Sequence, residues 1–453
     1  MSKEVKVKPR QAVVAAVQLP SESEVELAAS LSELQQLART LGFEIVGTFV
    51  QKRNKVDATA YLGTGKRQEI GRFVRNEPEP DAFAAPNSAP VAATGEERNV
   101  DLILVDDEIS PSQARNLENE VGCEVMDRTM VILEIFHRHA RSRAARAQVE
   151  IARLVYMAPR LREAAKLAGP QGRQRSGTGG RGAGEAHIEM DRRKNRDHIA
   201  ELQKEILAMD VERKTQRARR LERQGLARVT LVGYTNAGKS TLMRALTGSE
   251  VLVADKLFAT LDTTVRALHP ESIPRVLVSD TVGFIKNLPH DLVASFKSTL
   301  DEALEAALLL HVIDAGDPGY ERQLDVTLQV LKEIGAKGVP RILVFNKLDH
   351  VGDAAAQAAR VAALRLQYPD CIVMSARNPG DVAKLHRAIV AFFQKGLIEA
   401  ELFLPWSAQQ SRGDIFASCE VLEEGADDAG AVFRVRGEPD AIKRLQEKFG
   451  PAA

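Results

Sequence analysis

The stretch Arg228-Val-Thr-Leu-Val-Gly-Tyr-Thr-Asn-Ala-Gly-Lys-Ser240 fixes the fold class. Arg228 to Val232 reads as a short buried strand, and Lys239 to Thr247 as the start of a helix. Between them Gly233, Tyr234, Thr235, Asn236, Ala237, Gly238, Lys239 and Ser240 match G-x-x-x-x-G-K-[ST], the spacing of a phosphate-binding loop. A glycine-rich turn between strand and helix points backbone N–H groups and a helix N-terminus at one anion. Lys239 can then neutralise β- and γ-phosphates, and the Ser240 hydroxyl can ligate Mg²⁺.

A second motif selects the base. Asn346-Lys347-Leu348-Asp349 closes the apolar run Ile342 to Phe345, which places it at the carboxyl end of a buried strand. A carboxylate there accepts from N1–H and the 2-amino group of guanine, a donor pair that adenine lacks. Ser375-Ala376-Arg377 follows the run Cys371 to Met374 and supplies a backbone donor to the guanine O6. Between the two lies a strand ending in Asp280-Thr281-Val282-Gly283, a D-x-x-G pattern. Asp280 is the expected water-mediated magnesium partner, and the Gly283 N–H the expected sensor of the γ-phosphate. Each short motif is weak alone. Four in this order, each at a strand end, point to GTP and GDP.

The chain has 453 residues, room for two to four domains. Three widely spaced cysteines (Cys123, Cys371, Cys419) form neither a disulfide framework nor a metal set, which suits a reducing cytoplasm. No apolar run approaches a membrane span, so no integral membrane association is expected; peripheral contact stays open. Formal net charge is +0, with 62 basic and 62 acidic residues, yet the charge is unevenly placed. From Arg138 to Arg181 there are eleven Lys/Arg against Glu150 and Glu163, the pattern of a polyanion contact on a balanced surface.

Residues 1–145 read as a small α/β domain with a parallel sheet: strands over Gln11 to Val17, Glu44 to Val50 and Val100 to Val105, a helix over Glu24 to Leu41, and a further βα unit over Ala58 to Val74. Within it, residues 76–99 are Pro-, Ala- and Glu-rich and read as a flexible insertion. Residues 146–225 turn helical, and Ile199, Leu202, Ile206 and Met209 recur at coiled-coil spacing. The intervening tip, 169–184, holds seven glycines with Arg173, Arg175 and Arg181. An antiparallel helical hairpin accounts for this, with a solvated linker as the bland alternative. Residues 226–398 form the nucleotide domain, a doubly wound, mostly parallel sheet. The tail, 399–453, reads as a small α+β domain with strands over Ile415 to Val421 and Ala431 to Val435 and a helix over Pro439 to Phe449.

With these motifs in hand, the chain resembles the HflX family of translation-associated GTPases over nearly its full length. Leu257-Phe258-Ala259-Thr260-Leu261-Asp262 and Asp280 to Ile285 look like the family's switch segments. Leu288 to Val293, Leu308 to Asp314, Asp127-Arg-Thr129 and Ala147 to Leu154 are similar to further landmarks. Arg181-Gly-Ala-Gly-Glu185 and Asp191-Arg-Arg193 resemble its R-G-P-G-E and D-R-R signature, with Ala183 where proline is usual. The resemblance implies a GTPase, monomeric, that contacts ribosomal RNA and the 50S large ribosomal subunit and splits or rescues stalled ribosomes under stress. It assigns Phe258 to Asp262 to the first switch, with Thr260 as the second Mg²⁺ ligand in preference to Thr263 or Thr264. The hairpin arginines Arg173, Arg175 and Arg181 become the expected RNA contacts. Asn236 resembles an asparagine that holds K⁺ in some such GTPases; a loop-bracing hydrogen bond is the alternative.

No catalytic residue is assigned. Where many related GTPases carry a water-orienting glutamine after D-x-x-G, this chain has Phe284, so slow intrinsic hydrolysis stimulated by the ribosome is expected. Two other functions share much of this chemistry. One is a ribosome-assembly or anti-association GTPase. The other is an RNA-remodelling protein whose amino-terminal domain also binds ATP near Gly63-Thr-Gly-Lys66. An RNA-modifying enzyme would need a second catalytic constellation, which the scattered cysteines do not supply. His187, His137 and His139 sit among basic residues without metal-ligand spacing and read as RNA-facing or solvated.

Overall fold

A computed structural model describes residues 10–77, 99–167, 190, 192–209, 211, 227–248, 257–258, 264–286 and 302–449. Thr260, the tip arginines and most of the 76–99 insertion lie outside them. The described chain divides into two compact units. The first runs to Val211 and takes in Leu257 and Phe258; the second holds the remainder from Ala227 onward.

In the first unit, β1 (Gln11–Gln18), β2 (Glu44–Lys52), β3 (Val100–Val105) and β4 (Glu124–Asp127) form a parallel sheet in the order β2-β1-β3-β4. Val13, Ala15 and Val17 pack on one face with Ile70, Ala114 and Leu117 from α2 (Thr64–Val74) and α3 (Pro111–Val121). The alternate residues Ala12, Val14 and Ala16 are equally buried, as a strand covered on both faces requires. There α1 (Glu24–Thr40) packs on β1 and against α4 (Arg128–His139). Helix starts are written locally: Ser23 with Glu26, and Ser110 with Gln113, close reciprocal capping boxes.

The strand expected before α2 does not form. The Asp57 carboxylate instead accepts from the N–H groups of Thr59 and Ala60, and Tyr61 adopts φ 66°, so the segment is a turn closed by a single Asp57–Tyr61 bridge. Beyond the sheet, α5 (Arg143–Leu167) and the helix 192–209 (α6) carry the predicted helical region, and Arg143 pairs with Glu205. A contact between the start of one helix and the end of the other is what an antiparallel hairpin produces.

One buried cluster ties α5 to the sheet. Asp127 is 0% exposed and caps α4 by accepting from Met130 N–H at 2.9 Å. Its other oxygen accepts from Arg160 at 2.6 Å and from the Tyr156 hydroxyl of α5. Burial, with the Asp127 charge, pushes the Tyr156 phenol well above its ordinary range, so it stays a donor. Beside it the buried Arg128 pairs with Asp106 at 2.9 Å and with Glu33. Phe258 is also buried in this unit. Its ring meets Phe136 edge-on at 4.6 Å, and its carbonyl oxygen lies 2.8 Å from His139 Nδ1.

The second unit holds a six-stranded sheet in the order β10-β9-β8-β5-β7-β6. Its members are β5 (Ala227–Gly233), β6 (Thr264–Ala267), β7 (Val276–Asp280), β8 (Leu308–Asp314), β9 (Arg341–Asn346) and β10 (Ile372–Val373). All pairings are parallel except that of the edge strand β6. α7 (Lys239–Thr247), α8 (Tyr320–Glu333), α9 (Ala354–Gln367) and α10 (Pro379–Gln394) connect them. Because β5 is flanked by β7 on one side and β8 on the other, the turn after β5 sits where the strand order reverses, the usual ligand crevice of such sheets.

A separate antiparallel sheet, β11-β13-β12, is built from β11 (Ile398–Pro405), β12 (Cys419–Ala426) and β13 (Gly430–Gly437), with α12 (Pro439–Phe449). The strand expected from Ile415 begins only at Cys419. Residues Arg412–Ser418 are helical (α11), because Ile415 fills the core from one helical face while Asp414 and Phe416 point outward.

Candidate guanine nucleotide site

The loop after β5 is shaped by glycine. Gly233 has φ 149°, and a Cβ there would lie 2.2 Å from the Val312 carbonyl oxygen of β8. Gly238 begins α7 at φ 92°, and its Cβ would lie 2.3 Å from Asn346 Nδ2. No side chain fits at either position without moving backbone or the Asn346 amide. The two glycines of the motif are therefore dictated by close approach of β8 and β9.

Lys239 is almost wholly buried and donates to the carbonyl oxygens of Gly233 at 3.0 Å and Tyr234 at 2.8 Å. Burial lowers its pKa to about 8, against the pull of Asp280 and with the repulsion of Lys347. Ser240 Oγ donates to Asp280 Oδ2 at 2.8 Å. A hydroxyl and a carboxylate meeting where phosphates are expected are hard oxygen donors suited to Mg²⁺, which keeps most of its shell for water and phosphate. Among the described residues no group of three or more His, Cys, Asp or Glu could hold a metal ion.

The D-x-x-G segment closes onto the loop. Thr281 Oγ1 donates to Leu231 O at 2.7 Å, Phe284 N–H to Gly233 O at 3.1 Å, and Thr235 N–H to Phe284 O at 2.7 Å. The Tyr234 hydroxyl accepts from Lys286 N–H at 2.8 Å. Phe284 itself is buried with 2% exposure, an apolar side chain set into the core beside the loop. Asn236 has φ 57° and is exposed, and its side chain makes no hydrogen bond among the described residues.

The residues expected to select the base converge from β9 and β10. Asn346 Nδ2 donates to Ala237 O at 3.0 Å, and its Oδ1 accepts from Ala376 N–H at 2.9 Å, so one amide joins the phosphate loop to the Ser375–Ala376 turn. The Ala376 N–H expected to meet guanine O6 is thus held by Asn346. Ser375 Oγ donates to Asp349 Oδ1 at 2.6 Å, while Arg377 Nη1 lies 3.4 Å from Asp349 Oδ2. Burial acts to raise the Asp349 carboxyl, but the Ser375 hydroxyl, with His350 and Arg377, outweighs it and keeps the group below its ordinary range. An ionised carboxylate is what guanine's two donors require.

Two acidic residues outside the motifs also serve this site. Asp314, at the end of β8, pairs with Lys347 at 3.0 Å, and Lys347 is itself held at φ 60°. Asp381, in the first turn of α10, accepts from Ser375 N–H at 3.2 Å. The position of Asp314 at a strand end was a visible signal; nothing in the sequence around Asp381 marks it.

The family models that match are a GTP-binding GTPase N-terminal region over residues 28–137, a GTP-binding GTPase middle region over 139–220, and a 50S ribosome-binding GTPase over 228–347. The GTPase HflX of Gluconacetobacter diazotrophicus is 51% identical over 97% of each chain. That of Escherichia coli is 34% identical, covering 93% of this chain and 92% of its own. Among solved structures, a GTP-binding protein from Sulfolobus solfataricus in complex with GDP matches with a TM-score of 0.43 and 21% identity, covering 84% of this chain and 99% of that one.

Proposed function

Because the chain belongs to the HflX family of GTPases, and so binds and hydrolyses GTP, we propose that it spends that hydrolysis on the large ribosomal subunit, splitting or rescuing stalled ribosomes. The observation that carries the reading is the match of the nucleotide domain, residues 228–347, to a family described as 50S ribosome-binding. The basic run from Arg138 to Arg181 supports it: a chain of balanced charge that concentrates cations in one stretch suits a phosphate backbone. Mg²⁺ would be held by Ser240 and Thr260, with Asp280 behind them. Asn236 is offered as a K⁺ ligand because it lies in the phosphate loop with its side chain exposed.

Positioning and charge stabilisation supply most of phosphoryl-transfer catalysis. Lys239 would neutralise the β- and γ-phosphates, and Gly283 N–H would meet the γ-phosphate. Phe284 cannot orient water, so that task passes to a group the bound subunit supplies or orders. Free protein should therefore turn over GTP slowly.

An ATP site in the first unit has less support. Lys66, the cation of that glycine turn, is already paired with Glu69 at 2.8 Å. No helix among the described residues is long and apolar enough to cross a membrane.

Cosedimentation with separated ribosomal subunits tests the proposal. The chain should pellet with the large subunit when a non-hydrolysable GTP analogue is present and much less with GDP. Equal recovery with both subunits, or none with either, would refute it. Binding only to immature precursors would favour the assembly-factor alternative.

A further inference from the structure

Asp381 occupies a place that helix chemistry alone does not explain. It lies three residues past Asn378, whose side chain already caps α10 by accepting from Gly380 N–H at 3.0 Å. The Asp381 carboxylate instead reaches back to the preceding turn, where Oδ2 accepts from Ser375 N–H at 3.2 Å, while Oδ1 is 3.2 Å from Lys384 Nζ. Its side chain is only 16% exposed.

The turn it holds is fully committed. The Ser375 hydroxyl donates to Asp349 Oδ1 at 2.6 Å and accepts from Arg377 N–H at 3.2 Å. Ser375 O accepts from Asn378 N–H at 3.0 Å, and Ala376 N–H is spent on Asn346. The orientation of Asp349 thus depends on the Ser375 hydroxyl, and the height of Ser375 depends on the carboxylate below it.

Resting on the assignment of Asp349 and the Ser375–Ala376 turn to guanine, we propose that Asp381 is the positioning residue for guanine selectivity. It never touches the base. By holding Ser375 N–H it keeps the hydroxyl aligned with Asp349, so that the Asp349 carboxylate faces two donors of the ring. The phosphate contacts of Lys239 and Ser240 arise from a different loop and do not depend on it. Removing the Asp381 carboxylate therefore weakens recognition of the base and spares recognition of the phosphates.

The test is titration of the full chain with GDP, ADP and inorganic pyrophosphate, for wild type, Asp381→Ala and Asp381→Asn. Asp381→Ala should weaken GDP binding about tenfold, the effect of one displaced hydrogen bond to a charged acceptor. ADP and pyrophosphate affinities should stay unchanged, so that the preference for guanine contracts. Asp381→Asn keeps an acceptor oxygen for Ser375 N–H and should remain within about twofold of wild type.

Three outcomes overturn the inference: unchanged GDP affinity in Asp381→Ala; a parallel loss for pyrophosphate, which marks general damage; or an Asp381→Asn variant as weak as Asp381→Ala, which marks only a charge at a helix end. A wild-type chain that binds ADP as tightly as GDP would overturn the guanine assignment itself, and this inference with it.

Discussion

Lys239 shows how burial tunes one residue at the expected phosphate site. Its ammonium is satisfied by two carbonyl oxygens but has lost its water, which brings its pKa down to about 8. A bound phosphate favours the charged form, and its own ionisation is complete well below that pH. GDP affinity should therefore be flat near pH 7 and fall about tenfold per unit once pH passes the Lys239 pKa, as proton uptake becomes part of binding. Lys239→Arg stays charged throughout and should lack that slope beyond what the base itself contributes. An identical pH profile for both chains would show that Lys239 is not the titrating group. Among single residues the sequence was legible wherever chemistry demands one residue type. The two loop glycines, Lys239, Asp280, Asn346 and Asp349 all stood out because few residues could replace them. Asp314 was marked only by its place at a strand end and Asp381 not at all, because a supporting carboxylate is identified only by what lies within hydrogen-bond reach after folding.

Among helices and strands, α1 with its capping box, and β1 and β3, were read close to their observed bounds, whereas α3, which also has a capping box, was not singled out. Two segments were misread, both for tertiary reasons. Ala58 to Leu62 has strand composition but no neighbouring strand to pair with, and Asp57 bends it into a turn. Ile415 to Ser418 is apolar enough to read as the start of a strand, yet of the four only Ile415 is buried in the core. The docking of α5 on the sheet was not visible at all, since it rests on one buried carboxylate. Asp127 caps α4 and receives Tyr156 and Arg160 together. Asp127→Ala strips the cap and leaves Arg160 without its buried partner, and should cost about 3–5 kcal/mol. Urea denaturation should show that loss in the first unit, with GDP binding by the second unit retained. A shift below about 1 kcal/mol would mean that the cluster is well solvated in solution.

For the chain as a whole, the expected reach to the ribosome lies in the basic arm and its tip. Each arginine that meets a phosphate releases counterions, so binding should weaken steeply with salt. Replacing Arg173, Arg175 and Arg181 with alanine should leave GDP affinity intact and weaken binding to the large subunit. It should also flatten the dependence of log affinity on log salt, by about one unit of slope for each phosphate that is no longer neutralised. A triple variant with wild-type salt dependence would assign the arm a spacing role only.

The ligand and the order of parts were already written in the linear chain. A phosphate loop, a D-x-x-G turn and a guanine motif are local patterns, and each keeps its meaning because its chemistry depends on a few neighbouring residues. The gathering of cations in one helical region was written there too. Only folding settled which distant groups hold those patterns in register. Asn346 joins the phosphate loop to the base turn from 109 positions away in sequence, and Arg128 reaches Glu33 across 95. Folding likewise buried Phe258 against Phe136 and His139. Such pairings leave no periodicity or spacing in the chain. They exist because the folded backbone brings remote atoms together, where loss of water makes one hydrogen bond or one ion pair decisive.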